Sequence, residues 1–111
     1  MAERLPTELW IKAHAARCSA QGIPFVVIRR GDQHRGVVIA KLHMVGQGFR
    51  VVAQARDLEG GLVWAPALEG SIVPEADADA YIERQVTYDP DIWVIEVELR
   101  GDDDWFRGTV I

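Results

Sequence analysis

Cysteine is nearly absent from this 111-residue chain, in which Cys18 stands alone. A single thiol excludes an intramolecular disulfide, so stability has to come from packing, and a reducing cytoplasm is the setting this usage predicts. Long apolar runs are missing too. No stretch approaches the ~18 residues that a membrane-crossing helix needs, and Met1 to Pro6 lacks the apolar segment of a secretory signal, which argues against a membrane partner. The glycine patterns that cradle phosphates or dinucleotides are also lacking. Gly46-Gln47-Gly48 opens a strand-like run and not a helix, so no helix N-terminus stands ready for a phosphate, and no cofactor is expected. Repeats and low-complexity segments do not occur. What is present is ordinary globular composition, 49% hydrophobic and 26% charged, in a chain long enough for one core, so residues 1–111 read as a single compact domain.

Charge is the most informative feature of the composition. The net value is −5, but residues 1–56 hold nine Lys and Arg against three Asp and Glu, while residues 57–111 hold three against fourteen. Such asymmetry signals either a basic surface for nucleic acid or two halves that neutralise each other. The expected strand register favours neutralisation.

Thr7 is placed to cap a helix over Glu8–Gln21 that Gly22 and Pro24 terminate, with Leu5, Leu9, Ala13, Ala16 and Ala20 as its inward stripe. From Phe25 the period changes to two. Phe25–Arg30, Val37–Met44, Phe49–Arg56 and Leu62–Ala65 are β-rich runs separated by glycine-bearing turns, which predicts a four-stranded antiparallel meander. Pro66 ends the fourth run. Pro74 introduces a second helix from Glu75 to about Thr87, with Ala78, Tyr81, Ile82 and Val86 inward and an acidic start (Glu75, Asp77, Asp79) that suits the helix dipole. Asp89-Pro90-Asp91 breaks it, and Ile92–Leu99 is a further strand with Trp93, Ile95, Val97 and Leu99 inward. The expected fold is therefore α+β, an antiparallel sheet with both helices on one face, in the order α-β-β-β-β-α-β.

Glu8-Leu9-Trp10, the turn Arg29-Arg30-Gly31-Asp32, Ala40-Lys41-Leu42, and above all Asp79 to Gln85 running into Asp89-Pro90-Asp91-Ile92-Trp93-Val94-Ile95-Glu96 resemble an uncharacterised bacterial family known as domain of unknown function 1491. The resemblance extends from about Glu8 to Glu98. It implies one compact domain and brings no activity, ligand or catalytic residue.

The candidate chemistry is weak at every point. A nuclease-like metal site would need a carboxylate two residues before Lys41, where Ile39 stands, and neither Asp91 nor the Glu96/Glu98 pair has a lysine at the required spacing. His14 and Cys18, one helical turn apart, offer two metal ligands where a closed site takes about four, and read as packing residues. Asp102-Asp103-Asp104 lacks the glycine and closing glutamate of a calcium loop. Arg50, Gln54 and Arg56, with Lys41, His43, Arg29 and Arg30 nearby, sketch a basic sheet face, but the aromatic that could stack there, Phe49, is expected on the opposite face, and outward Glu96 and Glu98 would cancel the charge. Nucleic acid is therefore not the expected partner. Trp105 and Phe106, beyond the last confident strand, read as anchors that dock on their own domain or on a neighbour. The function these features favour is a protein-interaction or scaffold domain that self-associates, with Trp105, Phe106, Arg29, Arg30 and Arg56 as candidate contacts. The alternatives are an enzyme assembled from scattered residues such as Arg29, His43 and Glu96, or a weak nucleic-acid binder.

Overall fold

The structure, a computed structural model, describes residues 6–56, 58–59, 62–101 and 109–110, and of Arg56, Leu62, Thr109 and Val110 the backbone alone. The elements are α1 (Thr7–Ala20), β1 (Phe25–Arg29), β2 (Val38–Met44), β3 (Gly48–Arg56), β4 (Leu62–Pro66), a 3-10 turn (Leu68–Gly70), α2 (Glu75–Tyr88), β5 (Trp93–Leu99) and a two-residue β6 (Thr109–Val110). Up to β5 this is the order that the sequence predicts.

The sheet itself departs from the expected meander. Its strand order is β1-β5-β2-β3-β4-β6, with β5 inserted between β1 and β2, antiparallel to the first and parallel to the second. The sheet is thus mixed. Two strand spacings amount to only about 10 Å, a gap that the loop after β1 crosses easily. The return to β5 runs through α2, the kind of crossover a parallel pair requires. As central strands, β2 and β5 are buried on both sides: Val38, Ile39, Ala40 and Leu42, and Trp93, Val94, Ile95 and Val97, are all almost fully enclosed.

Two buried faces need two covers, so the helices lie on opposite faces of the sheet and not together on one. Ile11 and Cys18 of α1 pack with Ala40, Leu42, Val52 and Ile95. Ala78 and Ile82 of α2 pack with the alternate set Ile39, Val51 and Val94, flanked by Tyr81 and Val86 as the periodicity of α2 predicts.

The inward side of α1 is a second correction. Thr7, Ile11, His14 and Cys18 are buried, while Leu9, Ala13, Ala16 and Ala20 are exposed and Leu5 lies outside the described residues. Alanines spread around the helix leave no single apolar stripe, and the bulkier Ile11, with Trp10 beside it, fills the space above the sheet better than alanine can. Nor does Thr7 act as an N-cap: it is the first helical residue, after Pro6. Its hydroxyl donates to the Gly36 carbonyl (2.8 Å), and the N–H groups of Thr7 and Glu8 donate to the carbonyls of His34 and Gln33. Backbone carbonyls of the β1–β2 loop thereby satisfy the helix start. The C-terminus ends as expected on Gly22 at φ +73°, with the Ile23 N–H donating to the Cys18 carbonyl at 2.9 Å.

That loop is also fastened to the start of β5. Asp32 N–H donates to the Asp91 carbonyl (2.9 Å), and the Trp93 indole N–H donates to the Asp32 carbonyl (2.7 Å). Gly31 and Gly36 close around the Asp91 carbonyl so tightly that a methyl group on either would overlap its oxygen. Neither glycine has a positive φ, so the constraint is close approach and not backbone conformation. Gly36→Ala is expected to destabilise the fold by about 1–3 kcal/mol in urea unfolding, whereas Gly46→Ala, which meets no neighbouring atom, bears only the strain of its own backbone.

Candidate functional site

Alternation along β2 brings Lys41 out on the α2 side, under the first turns of that helix, where it is only 5% exposed. A buried ammonium is costly unless it is paired and hydrogen-bonded. Glu75 and Asp79, one turn apart on α2, each place a carboxylate oxygen 2.7 Å from Nζ, and Glu96 of β5 adds a third at 3.6 Å. The Phe49 ring closes the site, with its centroid 5.0 Å from Nζ. Burial by itself lowers the pKa of Lys41, but the hydrogen bonds to Asp79 and Glu75 and the nearby negative charge outweigh it and hold the ammonium above the ordinary lysine range.

The next outward pair repeats the theme. His43 stacks on Phe49, ring centroids 4.5 Å apart, so Phe49 shares the face of Lys41 and His43 and does not stand opposite it. The His43 Nδ1 is 3.8 Å from Glu98, which also accepts from Arg100 at 2.9 Å. Both contacts follow from the parallel register Lys41↔Glu96 and His43↔Glu98. The expectation that these two glutamates neutralise bases across the sheet therefore fits the geometry. The basic face as read from sequence does not form. Arg50 and Gln54 stand opposite Leu42 and Trp64, on the α1 side of the sheet, away from Lys41 and His43, and the side chain of Arg56 lies outside the described residues.

The remaining candidates are dispersed. Arg29 donates to the Pro90 carbonyl (2.9 Å). Arg30 pairs with Glu8 and lies over the Trp93 ring, 5.1 Å from its centroid. Arg29 sits beside Val94 and His43 beside Glu98, four residues or about 13 Å apart along β5, so Arg29, His43 and Glu96 do not converge on one point. His14 belongs to the α1 core, stacked on Trp10 at 4.8 Å and 5.8 Å from Phe25, with the Arg17 guanidinium against Nδ1. Burial, reinforced by the Arg17 charge, pushes its pKa down to about 4. Among the described residues, no three His, Cys, Asp or Glu side chains are grouped to hold a metal ion. Trp105 and Phe106 lie outside the described residues, while Trp10 and Trp64 pack against each other with centroids 5.8 Å apart.

Two features are not apparent from the sequence reading. Glu75 and Asp79 suit the helix dipole, but their i,i+4 spacing beside Ala78 and Ile82 also puts them on the edge of the buried stripe. The second is the rim of the sheet. β1 is an outer strand, and Val26, Val27 and Ile28 are 58%, 38% and 51% exposed. At the other rim, β6 pairs with β4 through Val63↔Thr109 and Trp64↔Val110.

A helix on each face of a small mixed sheet defines the class of domain. Residues 5–107 match the family model described as a protein of unknown function, DUF1491, and the chain belongs to that family. It is similar to a DUF1491 family protein from Caulobacter crescentus CB15. The crystal structure of that protein gives 31% identity and a TM-score of 0.85, covering 97% of this chain and all of the other. The NMR structure gives 32% and 0.83, covering 99% of each. The solution structure of Atu0922 from A. tumefaciens, 20% identical with a TM-score of 0.80 over 98% of each chain, shares the fold. Among curated proteins none matches. No helix is long and apolar enough to cross a membrane among the described residues.

Two outcomes follow from the buried ionisable groups. Glu75→Gln with Asp79→Asn leaves Glu96 the one carboxylate near Lys41 Nζ, and because the two lost carboxylates are more than half exposed urea unfolding should show a loss of about 1–2 kcal/mol, larger than for either change alone. For His14 the folded pKa lies below the unfolded one, so its contribution is complete above pH 6.5 and declines as the pH falls toward 4, by at most about 1.4 kcal/mol per pH unit. Unfolding titrations of His14→Leu should lack that part of the slope.

Proposed function

We propose that this protein is an interaction domain of the cytoplasm that meets a protein partner through the open β1 rim of its sheet. The observation that supports this reading is the run Val26-Val27-Ile28, apolar and exposed on a strand with no outer neighbour among the described residues. Natural sheets blunt such edges with charge, proline, bulges or a covering segment. Here Pro24 precedes the strand and a register shift follows Val27, so the devices stand at its two ends, and the residues between them carry none. The opposite rim has β6 against it.

The state of the basic residues points the same way. Lys41 is engaged by three carboxylates, His43 by Glu98, and Arg30 by Glu8. These pairings and a net charge of −5 do not favour affinity for phosphates. Trp105 and Phe106, outside the described residues, stay candidate anchors within this reading. A photo-crosslinking residue at position 26 in producing cells should yield a protein adduct, and the same residue at exposed Glu83 on α2 should not. Equal labelling at both positions, or none at position 26, would remove the β1 rim as the contact.

A further inference from the structure

We infer that the occupant of the β1 rim is a second copy of this chain, paired antiparallel about a two-fold axis at Val26. The inference rests on the reading of β1 as a contact surface and adds the identity of the partner.

The backbone groups of β5 fix which residues of β1 have free bonds. Trp93 N–H donates to the Val37 carbonyl (2.9 Å) and Val45 N–H to the Leu99 carbonyl (3.0 Å), so the odd-numbered residues of β5 face β2. The even-numbered ones face β1, as the bond from Glu98 N–H to the Pro24 carbonyl (3.1 Å) shows. In the register Val26↔Glu96, Val26 is therefore a bonded residue, and its neighbours Phe25 and Val27 turn their N–H and C=O groups outward. Beyond Val27 the register shifts, and Arg29 comes opposite the even-numbered Val94, which directs its backbone inward again. On the other side Pro24 has no N–H. The free ladder is thus confined to Phe25, Val26 and Val27.

A unit this short selects its partner. A longer strand from another protein would run past both ends without bonds, whereas a second β1 offers the same three residues and stops at the same places. With Val26 opposite itself, Phe25 of each copy pairs with Val27 of the other through about four backbone hydrogen bonds. On the α1 side of the sheet the same register sets Phe25 against Val27 across the strands, and on the α2 side Val26 against Val26, both apolar pairs. No charged side chain opposes its own copy. An isologous contact of this kind closes on itself, and its small area belongs to the weak, transient class of interfaces.

Purified full-length protein tests the register. A residue opposite itself in a non-bonded antiparallel pair has its Cα about 4.5 Å from its twin, within disulfide range, whereas residue 28 would be some 13 Å from its twin. Under mild oxidation Val26→Cys should form a disulfide-linked dimer at least tenfold faster than Ile28→Cys, with buried Cys18 present in both. In sedimentation, the mass of the unmodified chain should rise toward twice its monomer value with concentration, and that of Val26→Lys should not. Equal crosslinking at positions 26 and 28, or no crosslinking at either, overturns self-pairing, as does a wild-type mass that stays monomeric at every concentration. An in-cell adduct at position 26 with a different protein would then leave the β1 rim standing as a contact while removing the second copy as its occupant.

Discussion

Lys41 occupies a place where an ammonium is hard to accommodate, in the middle of a sheet and beneath a helix, and satisfying it constrains three elements at once. Its strand supplies the charge, α2 returns two carboxylates to it, and β5 returns a third. Because Lys41 and Glu96 are direct neighbours in a parallel pair, a slip of β5 by one residue would turn Glu96 to the opposite face and bring an apolar side chain to the cation. The ionic cluster thus works as a register mark. Ion pairs of this kind add little stability over a well-packed apolar set, so the value of this one lies in fixing which residues of β2, β5 and α2 meet.

The same cluster accounts for the division of charge along the chain. The basic half contributes Lys41 and His43, and the acidic half contributes Glu75, Asp79, Glu96 and Glu98, all gathered on the α2 side of the sheet. Two segments far apart in sequence are complementary because β5 is inserted next to β2. The second meeting point, at the other end of these strands, relies mainly on hydrogen bonds, with one ion pair between Arg30 and Glu8. There the start of α1, the loop after β1 and the residues around Asp91 are joined by hydrogen bonds from backbone N–H groups, the Thr7 hydroxyl and the Trp93 indole to backbone carbonyls. The stretches Arg29 to Asp32 and Asp89 to Trp93, which carry the family resemblance, belong to this junction, so a structural role accounts for them.

Local pattern makes the elements legible in the sequence, and it makes the buried side of α2 legible through Ala78, Ile82 and Val86. Topology is less accessible. Strand adjacency is decided by long-range packing, and the loop after β1 is compatible with either neighbour. One sign of the true arrangement is present in the sequence. Alternation of apolar and polar residues fails in β2 and β5, where Val38, Ile39 and Ala40, and Trp93, Val94 and Ile95, run on without a polar residue, as strands covered on both faces do. Helix α1 misleads because alanine suits an inward or an outward position equally, and because Thr7 looks like a cap and is in fact a buried residue, whereas His14 and Cys18 pack inside as their spacing suggests. The apolar run Val26-Val27-Ile28 misleads in the opposite sense, since an uninterrupted apolar strand reads as buried and this one is at the rim.

The two rims of the sheet are unlike, and the difference has a bearing on stoichiometry. One carries β6, a segment of the chain itself, against β4; the other, β1, has no outer neighbour among the described residues. A sheet with two open rims can recruit a neighbour at each and grow without limit, which is the geometry of a fibre. β6 is itself the outer strand of its rim but spans only two residues among those described, so the growth that two long open rims would allow is restricted on that side.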